Sequence, residues 1–583
     1  MKKRKSWWGP IFIACGALTS LTFMVGELWF LAWFTLSPMI YYLIRNAENI
    51  RVRRAFGIGA TFGIGYYGMM YHWFINFYPM DFAGLNETES IGVIALCWIG
   101  LATMHSLELG AVTMVYRLIK PKKRCLPLCI TVFTACWATF EWTQTLGWRG
   151  VPWGRLALSQ WKALPLIQSA SLFGGIFVSA LIVAVNSLIA AAVIEIQKHR
   201  TDIASATEGN DTTEEEKISA PSCKKISFPD KLRDTFNAVI LAFSAKKSLR
   251  VYALVAVGIV AANTLFGVIR MAAYNEKSGE GITAAVIQGN ISSLDKWADS
   301  SVTNSTKTHL DLTRKCVEET GAKLVLWAET AIPAAIDKYP TFKQRISDTA
   351  KELGIVLVIG AFEYKYNQDT QQKDTYNALI TFLPDGTEVD TRYYKRHLVP
   401  FAESLPMENF IRTFLPVLVE LNLISDPLAQ GDSANIMKTD LGAIGGIICY
   451  DSIFPALSMD AVREGAEIIA ISTNDSWFSD SAAIYQHNRQ AVFRAIETGR
   501  YVVRSANTGI SSIITPEGKF LAETEPLVDC YASATVYMRS DSTLYACIGD
   551  TFVYLCLGYV AVMLGFSVYK AIYKKRHPMY SEP

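Results

Sequence analysis

Three short segments put groups that could make and break an acyl bond at the ends of apolar runs. In KLVLWAETAIP, Glu329 closes a strand-like run and the chain then turns at Ile332-Pro333. A carboxylate at the carboxyl edge of a strand stands where open sheets collect ligand-binding groups, and partial desolvation can raise it into the range of a general base. In TRYYKRHLVPFAESLP, Lys395 follows two tyrosines and is followed by Glu403. An ammonium there could steady an oxyanion or bind an acidic substrate, with Glu403 holding it in place. In AIGGIICYDSIFP, Cys449 closes a β-branched run relieved by glycines, with Tyr450 and Asp451 behind it. A thiol on such a turn can present its sulfur to a cleft while the backbone N–H groups that follow face the same space. Each group has an ordinary alternative when taken singly: a turn residue, an exposed ion pair worth about 0–1 kcal/mol, a buried thiol.

The elements that must position these groups lie between residues 280 and 545, where short apolar runs alternate with helix-compatible segments. Strands are expected at AAVIQGNI (284), KLVLWAE (323), GIVLVIGAFEY (354), NALITFLPDG (377), AIGGIICY (443), EIIAIST (467), VVRSANTG (502) and SSIITPEG (511), with LPDG and TPEG closing two hairpins. Helices such as Thr341 to Leu353 and Ala482 to Thr498 lie between some of them. Long buried strands with interposed helices argue for a sheet sandwich with helical outer layers rather than an all-β sandwich.

The rest of the chain is built for lipid. Of 583 residues, 51% are hydrophobic and 19% charged, and the mean hydropathy is +0.21, which excludes a disordered or disulfide-stapled protein. Eight apolar stretches are long enough to cross a hydrocarbon core, near 10–24, 26–44, 55–79, 91–118, 126–145, 166–195, 250–273 and 548–572. The first also resembles a signal peptide, but Trp7 and Trp8 and the missing cleavage site favour an uncleaved helix. Basic residues cluster at Lys2–Lys5, at Arg45, Arg51, Arg53 and Arg54, at Lys120–Arg124 and at Lys574–Arg576, all on one side if every stretch spans. That side is expected to be cytoplasmic, with both termini on it, and the acidic loop Asp81 to Ser90 external. The domains expected are therefore a membrane part at 1–196, a polar cytoplasmic loop at 197–249, a seventh span at 250–273, an external domain at 280–545, an eighth span at 548–572 and a tail at 573–583.

The order and spacing of Glu329, Lys395 and Cys449, each closing a separate strand, resemble the carbon-nitrogen hydrolase (nitrilase) superfamily. The motifs QGNI, LWAETAIP, YYKRHLVPFAE, ICYD and RSANTG carry the resemblance across about residues 283–520. It implies an α-β-β-α sandwich in which Glu329 is the general base, Lys395 the oxyanion stabiliser, Cys449 the nucleophile and Glu403 a supporting second glutamate. With eight spans around that domain, nearly the whole chain resembles the apolipoprotein N-acyltransferases, through QGNI followed by Lys296-Trp297, PFAE, Tyr450 beside the cysteine, and the loop GWRGVPWGR at 147. Asp451 departs from the glutamate frequent at that position, and the insert at 197–249 is long.

That resemblance implies a bacterial inner-membrane enzyme with its active domain in the periplasm. The acyl donor would be a phospholipid and the acceptor a diacylglyceryl-modified apolipoprotein, joined through a Cys449 thioester with ping-pong kinetics. Trp297, Tyr450 and Asp451 would support the site, and Trp477 and Phe478 would either line an acyl groove or fill core. Phe410, Phe414, Leu415, Leu418 and Leu421 recur at helical spacing and could either dip into the outer leaflet as a lid or pack on the domain. A membrane-tethered amidase using the same triad and a scaffold with an inactive domain are the competing readings; the scaffold predicts a lost triad member. No cofactor, metal or nucleic-acid partner is expected: the seven histidines are scattered, HExxH, GxGxxG and Walker patterns are missing, and a net charge of +2 draws no polyanion. His105 reads as a satisfied intramembrane histidine. Cys316 and Cys530, on the oxidising side, could pair.

Overall fold

A computed structural model describes residues 8–47, 49–80, 84–119, 125–208, 247–274, 280–296, 300–368, 371–408, 412–413 and 427–577. Among the described residues, thirteen strands form the sheet domain: Gly281–Gln288 (β1), Leu324–Trp327 (β2), Ile332–Ala335 (β3), Val356–Asn367 (β4), Gln372–Phe382 (β5), Tyr393–Tyr394 (β6), Met437–Thr439 (β7), Gly442–Ile448 (β8), Ile468–Thr473 (β9), Val502–Ala506 (β10), Ser512–Ile514 (β11), Phe520–Glu523 (β12) and Cys530–Tyr537 (β13). One sheet runs β13-β1-β2-β4-β5-β6, with β3 also beside β4, and the other runs β12-β11-β10-β9-β8-β7.

The near-continuous apolar runs of these strands follow from burial on both faces. In β1, Ala284 and Val286 enter the core between the sheets, against Ile444, Ile448, Ile468 and Val503. Their neighbours Ala285 and Ile287 face outward onto Val302, Leu310, Ile346 and Ala350 of the helices Ser301–Thr320 and Pro340–Leu353. The second sheet does the same: Ile447, Ile469, Ile471 and Val502 pack with Leu457, Val462, Val492 and Ile496 of the helices Pro455–Arg463 and Ala482–Thr498. The result is the expected helix-sheet-sheet-helix sandwich. The LPDG and TPEG segments turn as expected, Gly386 donating to Leu383 and Gly518 to Thr515. β13 has no counterpart among the expected strands; it closes the first sheet by pairing antiparallel with β1 from Gly281 opposite Tyr537 to Gln288 opposite Cys530.

Among the described residues, five helical stretches are long and apolar enough to cross a membrane: Gly26–Arg45, Glu87–Ile119, Gly175–Asp202, Lys247–Ala273 and Thr551–Arg576. At the other three expected positions the chain is helical over Trp8–Met24, Val52–Met70 and Leu126–Thr143 without meeting that measure. The count of eight spans is thus not reproduced. Two stretches are also broken. Gly26–Arg45 is a 3-10 turn, Gly26–Trp33, followed by a helix beginning at Ser37-Pro38, and the stretch near 166 splits into Leu164–Ile167 and Ala170–Phe173 before a long helix starts at Gly175. That helix continues to Glu208, into the segment read as a polar loop.

Glycines let the helices touch backbone to backbone, as close packing between apolar helices requires. A Cβ on Gly65 would sit 2.0 Å from the Ile13 carbonyl oxygen, and one on Gly59 2.4 Å from that of Leu109. The two parts of the chain share one apolar core, in which Val492 and Ile496 join Val178 and Ile182. The basic residues at 2–5 and 120–124 lie outside the described residues, as do Trp297 and the five residues Phe410, Phe414, Leu415, Leu418 and Leu421 read as a lid.

Candidate active site

Glu329 follows β2, Lys395 follows β6 and Cys449 follows β8, so three strand ends deliver their groups to one edge of the sandwich. Lys395 Nζ bridges two carboxylates, Glu329 Oε1 at 2.9 Å and Glu403 Oε1 at 2.7 Å. Burial alone would pull the Lys395 ammonium down; Glu329 and Glu403 more than reverse this and hold it well above the usual lysine range. Burial raises the Glu403 carboxyl, as expected where two carboxylates share one cation.

Glu329 is 4% exposed and its oxygens are fixed from three sides. Asn377 Nδ2 donates to Oε1 at 2.7 Å and the Asn474 N–H to Oε2 at 2.8 Å, while Lys296 Nζ donates to the Glu329 backbone carbonyl at 3.0 Å. Gly360 makes room for this turn: a Cβ there would lie 2.4 Å from the Ala328 carbonyl oxygen. Lys296 is itself buried, which lowers its ammonium to about 8 against the pull of Glu329 and Cys449.

Cys449 opens the 3-10 turn Cys449–Ile453 with φ at +49°, a left-handed backbone that only a constrained turn imposes on a side chain of this kind. Burial and the neighbouring Glu329 raise its thiol well above the ordinary range, with Lys395 opposing, so the resting group is S–H. A nucleophile in this state needs a base at the moment of attack.

Asp451, fully buried, touches none of these three side chains. Its Oδ1 accepts from His397 N–H at 2.6 Å, and its Oδ2 from Tyr393 hydroxyl at 2.8 Å, Ile448 N–H at 3.2 Å and Arg396 N–H at 3.4 Å. The short carboxylate therefore ties the backbone beside Lys395 to the strand end beside Cys449. Burial raises it to about 6 while the Lys395 charge and these donors oppose.

The helical part reaches Tyr450, the residue after Cys449, and Phe401 through the loop 147–155. Tyr450 hydroxyl donates to Gly150 carbonyl at 2.8 Å, and the rings of Trp148 and Phe401 meet edge-on at 6.4 Å. Phe478 packs against Trp73 at 5.2 Å and Phe77 at 5.8 Å, so it joins the two parts of the chain, and Trp477 is half-buried beside it. His105 is buried and half satisfied: its Nδ1 lies 3.0 Å from Glu108 and 3.1 Å from Gln144, while its Nε2 has no hydrogen-bond partner among the described residues. Cys316 and Cys530 are both free thiols, so the pairing considered for them is not made.

Reading the sequence for strand-end nucleophiles and bases passed over Asn377, Asp475, His487 and Arg504. Asp475 could have been found by the same signal as the others, since it lies two residues beyond the end of β9. Arg504 stands inside the RSANTG motif. Among the described residues, no group of three His, Cys, Asp or Glu is placed to hold a metal ion.

A carbon-nitrogen hydrolase family model matches residues 283–537 and a model of the apolipoprotein N-acyltransferase N-terminal domain matches residues 15–188. Curated proteins named apolipoprotein N-acyltransferase align along the chain. The one from Geobacter metallireducens is 28% identical over 94% of this chain and 93% of its own. That from Methylococcus capsulatus is 28% identical over 89% of each, and that from Gloeobacter violaceus 26% identical over 90% of this chain and 87% of its own. With its apolar helices, the chain is a membrane-bound protein carrying a nitrilase-like domain. Matched at both ends by these models and aligned with such relatives over nearly its whole length, it belongs to the apolipoprotein N-acyltransferase family.

Proposed function

We propose that this chain is an acyltransferase that moves an acyl chain from a phospholipid to the α-amine of a diacylglyceryl-modified cysteine at the start of a bacterial lipoprotein. The observation that carries this reading is the junction of the two parts of the chain at one mouth. The Glu329, Lys395 and Cys449 cluster lies beside a loop of the helical part, with Tyr450, next to Cys449, bonded to Gly150. Small dissolved amides need no helical bundle at the mouth of the site, whereas a lipid ester must enter from one.

In the first half-reaction Glu329 takes the proton from Cys449 Sγ as the sulfur adds to the ester carbonyl. Lys395 and the Tyr450 N–H meet the oxyanion. Collapse breaks the carbon–oxygen bond, the departing glycerol oxygen takes the proton from Glu329, and lysophospholipid leaves a thioester on Cys449. In the second, the amine adds to the thioester and gives a proton to Glu329; the sulfur departs and takes that proton back. Glu403 holds Lys395, and Asp451 keeps the lysine and cysteine segments in register. Trp477 and Phe478 line the acyl path and keep water from the thioester.

The catalytic domain, 280–545, faces the periplasm and both termini the cytoplasm, with the polar segment 197–249 on the cytoplasmic side. The basic flanks support this orientation. The test is the intact mass of detergent-purified protein after incubation with phospholipid, beside Cys449→Ala. One acyl mass, absent from the variant and removed by hydroxylamine, is expected; no adduct in folded protein would overturn the reading.

A further inference from the structure

The nucleophile's own carbonyl is approached by a histidine that the reaction above does not use. His487, on the helix Ala482–Thr498, is 2% exposed. Its Nδ1 lies 2.8 Å from Asp475 Oδ1, and the other oxygen of Asp475 pairs with Arg504 Nη2 at 3.0 Å. Burial opposes the charge on Asp475, but His487 and Arg504 outweigh it and keep its carboxyl below the usual range. An ionised carboxylate only accepts, so Nδ1 donates.

Nε2 then faces two oxygens, Ser452 Oγ at 3.0 Å and the Cys449 carbonyl at 3.3 Å. A carbonyl only accepts, so the bond to it forms when Nε2 carries a hydrogen, and the Ser452 hydroxyl lies where it can share that hydrogen. The same turn is held from behind by Arg494, whose Nη1 donates to the Ser452 carbonyl at 3.2 Å. Trp153 covers the imidazole, ring centre to ring centre 5.5 Å.

The consequence lies in the planarity of the next peptide. The Cys449 carbonyl and the Tyr450 N–H belong to one rigid unit and point in opposite directions. Cys449 is in the left-handed region at φ +49°, which its side chain does not favour, so something outside the turn must hold that plane. A carbonyl drawn to the helix Ala482–Thr498 turns the Tyr450 N–H to the opposite side.

We propose that His487, clasped by Asp475 and reaching the Cys449 carbonyl through Nε2, is a positioning residue that sets the Cys449–Tyr450 peptide plane and so aims the Tyr450 N–H at the oxyanion. This rests on the acyl-transfer reading above.

Two substitutions separate the halves of the imidazole. His487→Asn keeps a donor near Nδ1, toward Asp475, and loses the reach to Cys449; His487→Gln keeps a donor near Nε2 and loses the bond to Asp475. Two rates are measured on the full-length protein in detergent. One is acyl-enzyme formation from phosphatidylethanolamine by intact mass. The other is iodoacetamide alkylation of Cys449, read on its own peptide, which needs the sulfur but no oxyanion donor.

In His487→Asn, acylation is expected to fall about 100-fold, the scale of a lost oxyanion donor, with alkylation within about threefold of the parent. In His487→Gln, acylation is expected within about fivefold. The inference is overturned if His487→Asn acylates within about threefold of the parent, if acylation and alkylation fall in step, or if His487→Gln falls as far as His487→Asn. Should His487→Asn not fold, the ratio of the two rates in His487→Gln decides alone. Failure of His487→Gln to fold also overturns the inference, since a donor at Nε2 is all it asks of the position. A parent chain that alkylates but never acylates would sink the acyl-transfer reading itself, a result distinct from the others.

Discussion

Replacing Asp451 by asparagine tests whether alignment of the lysine and cysteine segments, separately from their chemistry, limits the reaction. The amide oxygen best serves the Oδ2 side, where Tyr393 hydroxyl, Ile448 N–H and Arg396 N–H converge. The amide nitrogen must then face the His397 N–H, which now reaches Oδ1 at 2.6 Å. Two donors meet head-on, and one buried N–H two residues from Lys395 loses its acceptor, at a cost of about 1–3 kcal/mol. Carried wholly into the transition state, this slows acyl-enzyme formation by about 5- to 150-fold.

The assay is the rate of acyl-mass gain at pH 7, with the melting temperature recorded alongside. Burial raises the Asp451 carboxyl from 3.8 to about 6. The stability tied to this raised pKa is fully present below about pH 4 and is lost as pH rises through about 6, amounting to about 3 kcal/mol. The asparagine variant has no such titration, so the parent's stability relative to it should decline across that window. A rate within twofold of the parent, or a loss as complete as in Cys449→Ala, would refute the reasoning: the first denies alignment, the second puts Asp451 on the reacting atoms.

Other outcomes follow from the same geometry. Cys449→Ala should form no acyl-enzyme and transfer no acyl chain, by intact mass and by lipoprotein mobility. Lys395→Met leaves Glu329 and Glu403 without their shared cation and should destabilise by about 3–5 kcal/mol. Adding Glu403→Gln should recover part of that in thermal unfolding, and a double variant as unstable as the single would show that the pair is not coupled. Gly65→Leu, which forces a side chain onto the Ile13 carbonyl, should prevent recovery of folded protein by size-exclusion chromatography in detergent.

Much of this molecule could be read before its fold was known, because the signals are local. Strands buried on both faces must be apolar along their length, so β1, β4, β8 and β9 announce themselves. A polar group at the end of such a run is conspicuous, which is how Glu329, Lys395 and Cys449 are found. The number of spans was less legible. Apolar length says a segment tolerates lipid, yet Trp8–Met24, Val52–Met70 and Leu126–Thr143 fall short of the length and hydropathy of a span, and Gly26–Arg45 breaks at a proline the hydropathy pattern absorbs.

What the sequence determined alone is the inventory: which strands exist, which end in a reactive group, and that a large part of the chain belongs in lipid. Only the tertiary structure decided what each group does to its neighbour. Lys395 meets Glu403, close in sequence, but also Glu329, sixty-six residues away; Asp451 gathers three backbone N–H groups and the Tyr393 hydroxyl; and His487, unremarked on its helix, comes to rest on the carbonyl of Cys449. The physical reason is that periodicity and turn chemistry act over a few residues. Hydrogen-bond partners in a buried site are chosen by how two sheets and a helix close on one another.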